Sequence, residues 1–167
     1  MLDSNTFLTT RQPLRDWSRR LPRHAAAAVA QADPGRPMVY VAMEPSPGVL
    51  GPLRSQLTRW SADVGLTTAQ NDDIVLAVDE AVSNAIEHAF DPPAEGGNVT
   101  LFAGCDSRRR TVCIIVADTG RWQPPPADPG TRGRGLYLMN VLAGTFELHH
   151  DRRGTTVLLK WPLDSAD

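Results

Sequence analysis

A carboxylate and a carboxamide four residues apart, Glu80 and Asn84, lie in the segment DDIVLAVDEAVSNAIEHAF. On a helix turning about 100° per residue, Ile74, Val78, Ala81, Val82, Ala85, Ile86 and Ala89 gather on one wide apolar face, and Glu80, Asn84, Glu87 and His88 fall opposite. One turn apart, the first two can act together. Glu80 can accept a proton or polarise a nucleophile, and Asn84 can offer its amide oxygen to a hard cation such as Mg2+. The competing reading of such a stripe is the solvated side of a core helix. Further on, TVCIIVA ends in Asp118-Thr119-Gly120. A carboxylate at the end of a buried strand only accepts, which suits a ligand edge bearing an NH2 donor such as the adenine amino group. Asp and Gly are equally common in a strand-ending turn. Arg132-Gly133-Arg134-Gly135 then leads into LYLMNVL. A glycine-rich turn entering a helix exposes backbone N–H groups to an anion, and Arg132 and Arg134 add charge for a polyphosphate. Gly154-Thr155-Thr156 opens the last apolar run, where threonine is also an ordinary strand residue.

These groups need elements to hold them. Met38–Glu44 reads as a strand closed by PSPG, and Val49–Val64 has helical apolar spacing. Thr67 or Thr68 can cap the helix that carries Glu80, with Asp72 and Asp73 in its first turns and DPP after Phe90 as a stop. Asn98–Cys105 and Thr111–Ala117 form a hairpin around DSRRR, Leu136–Ala143 a short helix, and Thr145–His150 and Thr155–Trp161 a second hairpin around DRRG. Strands arriving in hairpins, without repeated βαβ crossovers, predict an α/β two-layer sandwich with a mixed or antiparallel sheet covered by helices on one face.

The chain has 167 residues, two cysteines and a net charge of −2. That is one domain with a short appendage, and the acidic balance argues against a general nucleic-acid binder. No apolar run approaches the roughly 18 residues of a membrane span, the N-terminus has no apolar signal core, and two cysteines make no disulfide framework. These features place the chain in the cytoplasm, without membrane or direct nucleic-acid contact. Charge is uneven: residues 1–37 carry six Arg and three Asp, and residues 38–167 carry 11 basic and 16 acidic groups. Residues 1–37 read as a basic appendage or linker with one helical candidate, Leu14–Ala32, interrupted by Pro22. Residues 38–163 form the main domain and 164–167 a tail.

In order and spacing, EAVSNAIEH, VADTG, GRGLYLM and GTTVLLK resemble the boxes of the GHKL (HATPase_c) ATP-binding superfamily, and within it the anti-sigma factor serine/threonine kinases of the RsbW/SpoIIAB type. The resemblance covers about residues 38–163 and implies a Bergerat-type fold binding ATP and Mg2+. It implies Glu80 as general base and Asn84 as magnesium ligand, with His88 in the same box. Asp118 and Gly120 fall on the adenine side, and Arg132, Gly133, Arg134, Gly135 and Leu136 on the phosphate side. Thr155 would support Asp118. Arg54 falls near a position that such proteins use to contact sigma. The partners implied are a sigma factor, a STAS-domain anti-anti-sigma protein carrying the phosphorylated hydroxyl, and a second copy in a homodimer. The sequence departs from DxGxG, placing Trp122 where the second glycine stands. Its short Pro-rich lid is similar to those of ATP-binding modules fused to PP2C-type phosphatases in actinobacterial regulators. A non-catalytic module that holds a regulator is the alternative. A histidine kinase core fits less well, because no long dimerising hairpin carries a phospho-accepting His.

Overall fold

Among the described residues, two short helices precede the first strand. They are α1 (Arg11–Ser18) and α2 (Arg23–Gln31), broken at Pro22, whose missing N–H ends one helix and opens the next. The chain then runs through β1 (Val39–Met43), α3 (Leu50–Val64), α4 (Thr68–Asn84), β2 (Val99–Asp106), β3 (Thr111–Asp118), α5 (Gly135–Leu142), β4 (Thr145–Asp151) and β5 (Gly154–Pro162). This computed structural model describes residues 11–89, 96–124 and 134–163.

The five strands form one antiparallel sheet in the order β1-β2-β3-β5-β4. The expected α/β fold with an antiparallel sheet is what the chain adopts, but helices cover both of its faces rather than one. On one face α3, α4 and α5 bury Leu57, Ile74, Val78, Val82 and Met139 against Val99, Leu101, Val112, Ile114 and Leu159. Helix α4 starts where its sequence says it should. Thr67 accepts from the Gln70 N–H at 3.2 Å while Gln70 returns a bond to the Thr67 N–H at 3.0 Å, a capping box. Beyond Asn84 the helix widens into a π turn over Ala85–Ala89, a distortion frequent near functional sites.

From Arg11 onward, the expectation of an appendage or linker over residues 1–37 meets a different arrangement. Helices α1 and α2 lie on the other face of the sheet, burying Trp17, Ala25 and Ala28 against Phe102, Cys113, Ile115 and Leu158. Small alanines let α2 sit close to the strands, and Trp17 packs on Tyr40 with ring centroids 5.5 Å apart. The ADPGRP stretch is fastened as well. The Asp33 N–H donates to Cys105 O at 2.7 Å, Ser107 donates to Asp33 Oδ2 at 2.6 Å, and Arg36 donates to Val64 O at 2.9 Å. The Trp60 indole reaches Pro37 O at 2.9 Å. A segment with net positive charge and no strand pattern gave no sign of this packing, because the strand residues it covers, Phe102, Cys113, Ile115 and Leu158, lie more than 60 residues away. Trp17 is 7% exposed, so Trp17→Ala is expected to lower the unfolding free energy by about 3 kcal/mol in urea denaturation. A loose tail would leave it unchanged.

Candidate functional site

Antiparallel register puts residues from three strands in rows across the sheet. Asp118 of β3 pairs with Thr155 of β5, and Val116 pairs with Val157, which in turn pairs with Leu148 of β4. Paired residues point to the same face, so the floor carries a polar row beside an apolar row. Above it stand Asn84 and Ala85 from the end of α4 and Gly135, Leu136 and Met139 from α5, enclosing a cleft of about 290 Å³. A second groove of about 530 Å³ lies on the opposite face between Trp17, Tyr40 and the strand ends. It is larger, but it lies away from Glu80, Asn84 and α5. The convergence of an acid, a carboxamide and a helix start selects the smaller cleft.

Asp118 Oδ1 accepts from the Gly120 N–H at 2.9 Å and from the Thr155 main-chain N–H at 3.4 Å. Both bonds land on one oxygen, which leaves Oδ2 as the acceptor for a ligand. Thr155 therefore supports Asp118 through its backbone. Burial pushes the Asp118 carboxyl above its ordinary value of 3.8, and the two N–H bonds pull the other way without cancelling it. The ionised form is the better acceptor. Affinity for an amino-bearing base is thus expected to fall on acidification at a pH above 3.8, as Asp118 gains its proton. Calorimetric titration at stepped pH checks this, and Asp118→Asn is expected to bind more weakly and without that dependence. For stability the sign is opposite. A raised folded pKa contributes stability that is fully present below the unfolded value and is lost as pH rises through the folded one.

Glu80 and Asn84 are both half-buried, so the stripe is not simply a solvated helix side. The start of α5 presses on it. A Cβ at Gly135 would fall 2.7 Å from Glu80 Oε2, 3.2 Å from Asn84 Nδ2 and 3.6 Å from Asn84 Oδ1. The first turn of α5, with its unpaired N–H groups, thus stands against the acid and the amide. Arg134, the exposed residue before α5, stands at the same helix start. Arg132, Gly133 and the His88 side chain lie outside the described residues. Arg54 stands apart on α3, tied to Asp79 of α4 by a 2.6 Å ion pair. Sequence reasoning missed Met139, Leu148 and Val157 as cleft walls. Alternation along β4 and β5 marks a face for the last two, but only the register shows that it is the face of Asp118.

The cleft fits a nucleotide. Its volume, just below the ligand-pocket range of about 300–1,000 Å³, suits a base and ribose over the Val116-Val157-Leu148 row. Phosphates would extend toward the α5 start. Among the described residues, no group of three or more His, Cys, Asp or Glu could hold a metal ion. Mg2+ commonly takes one or two protein ligands and otherwise uses phosphate oxygens and water, so the Asn84 amide oxygen at the α5 start could serve as its protein donor. No described helix is long and apolar enough to cross a membrane.

The family model described as histidine kinase-like ATPase domain matches residues 43–161. The chain is 33% identical over 97 residues to the sensor histidine kinase PdtaS of Mycobacterium tuberculosis, a stretch that is 54% of this chain and 19% of that protein. It is 27% identical over 130 residues to the serine-protein kinase RsbW of Bacillus licheniformis, covering 69% of this chain and 80% of the relative. Among solved structures it is similar to the RsbU and RsbW domains of Rv1364c from Mycobacterium tuberculosis, with TM-score 0.59 and 26% identity. That match covers 74% of this chain and 32% of the solved one. The expected resemblance to RsbW-type kinases holds in both sequence and structure.

Proposed function

Because the chain belongs to the histidine kinase-like ATPase domain family, we propose that it binds ATP with Mg2+ and phosphorylates a serine or threonine of a STAS-domain anti-anti-sigma protein. In the cytoplasm it would thereby control the availability of a sigma factor that it also holds. The observation that carries this reading is the close approach of Gly135 to both Glu80 and Asn84, with no room for a Cβ, beside the cleft that Asp118 lines.

Each residue has work that follows from its place. Asp118 Oδ2 accepts from the exocyclic amino group, and the apolar row below takes the flat of the base. The N–H groups at the start of α5, with Arg134, attract the phosphates. Asn84 offers its oxygen to the cation, which when bound neutralises charge on the transferring phosphoryl group. Glu80 takes the proton as the partner's hydroxyl oxygen attacks the terminal phosphorus of ATP, and ADP leaves as the phosphoanhydride bond to that phosphorus breaks. A phosphorylated partner gains about 1.5 to 2 negative charges. Against a mildly acidic chain this weakens their complex and frees the kinase for its sigma factor. Arg54 is the proposed sigma contact; to serve, it must leave Asp79 or bind as a pair with it.

The test is addition of MgATP in a thermal-shift titration, followed by labelled-ATP transfer to a STAS protein. A ligand present at about 100 times its Kd stabilises by about 2.7 kcal/mol. A shift with transfer supports the kinase. A shift without transfer to any STAS partner supports a second reading, a nucleotide-gated holding module, which Trp122 in the glycine box favours. No shift removes both nucleotide readings.

A further inference from the structure

The loop that leaves β3 is pinned over its first residues. Gly120 is tied to Asp118, and the Arg121 N–H donates to Ala89 O in the π turn at 2.8 Å. Trp122 follows, and its indole lies flat on the imidazole of His150, with ring centroids 4.8 Å apart and planes 8° from parallel. His150 belongs to the edge strand β4 and pairs with Thr155, which pairs with Asp118. Asp118, Thr155 and His150 therefore form one row across three strands and share the cleft face. Trp122 lines that cleft together with Leu148 and Val157.

One side of the indole is taken by His150, and the side chain also lines the cleft. His150 stands across the sheet from the carboxylate, about two strand spacings or roughly 10 Å away, and Trp122 stacked on it forms an aromatic wall of the cleft. A single-ring base anchored on Asp118 covers less of that span than a fused two-ring base. We propose that Trp122, braced by His150, is a specificity-determining residue: it supplies the stacking wall that selects aminopurine nucleotides and contributes much of their affinity. The proposal rests on the nucleotide reading above and adds a base-recognition role to a position where the resembling family has a glycine.

The chain has four tryptophans. Trp17, Trp60 and Trp161 are 7%, 3% and 4% exposed and sit in the two cores, so Trp122 is the one that a ligand in this cleft can reach. MgATP is expected to change the tryptophan emission of the wild type. Trp122→Phe, which keeps an aromatic wall, is expected to bind by calorimetry within a few-fold of wild type while losing that signal. Trp122→Ala should weaken ATP and adenosine alike by tenfold or more, on the order of one stacked base, and narrow the preference for ATP over CTP. Equal loss for adenosine and ATP locates the effect at the base. A loss seen with ATP alone would place Trp122 at the phosphates and overturn the proposal. Unchanged binding in Trp122→Ala also overturns it and leaves the nucleotide reading intact. Wild-type protein that binds no nucleotide by calorimetry overturns both.

Discussion

Glu80→Gln is expected to slow phosphoryl transfer to a STAS partner by about 10²–10⁴-fold while leaving MgATP affinity close to wild type. The substitution keeps shape and hydrogen-bonding capacity and removes the basic oxygen that would take the hydroxyl proton. Glu80 borders the start of α5 rather than the base pocket, so the part of the cleft that holds the nucleoside is untouched. Steady-state transfer of labelled phosphate, read beside a calorimetric Kd, separates the two effects. Equal rates in mutant and wild type would mean that another group accepts the proton, and the general-base assignment would be withdrawn. Parallel losses in rate and affinity would instead make Glu80 part of the binding surface.

Gly154→Ala is the substitution expected to cost most in stability, about 3–5 kcal/mol. Gly154 has φ 136°, a region closed to side-chain-bearing residues, and a Cβ there would collide with the carbonyl oxygen of Asp118. The nearest atoms are all backbone of Asp118 and Thr119, which leaves no flexible group to yield. Gly65 provides the contrast. At φ 84° it ends α3 in open space, and Gly65→Ala should cost only about 1 kcal/mol. Urea midpoints at unchanged slope measure both. Whatever Gly154→Ala protein remains folded should also bind nucleotide poorly, because the start of β5 and Asp118 would have to part.

Local chemistry was legible in the residues, and long-range pairing was not. The start of α4 could be read from Thr67 and its neighbours because a capping box is closed within four residues. The DSRRR turn is similar: Asp106 Oδ1 accepts from the N–H groups of Arg108 and Arg109 within the turn itself. The antiparallel sheet followed from two hairpins. Coverage of its second face did not, although β2 is buried at every position and VCIIVA in β3 is an unbroken apolar run. Continuous burial of this kind is the mark of a strand enclosed on both sides. In the site, Asp118, Gly135 and Thr155 announced themselves as residue types in a pattern. Leu148 and His150 became site residues only through the register of β4 on β5, and Arg54 found Asp79 across 25 residues and two helices.

The second helical layer also decides where this protein can safely be cut. A boundary at residue 38, where motif and charge both change, would strip Trp17, Ala25 and Ala28 from Phe102, Ile115 and Leu158. A bare apolar sheet face is an invitation to self-association. Dimers or aggregates formed by such a shortened chain would report on the missing helices and not on native assembly. In the intact chain, a second copy can reach that face only after α1 and α2 have let go. Oligomeric state should therefore be judged on chains that begin at or before Arg11.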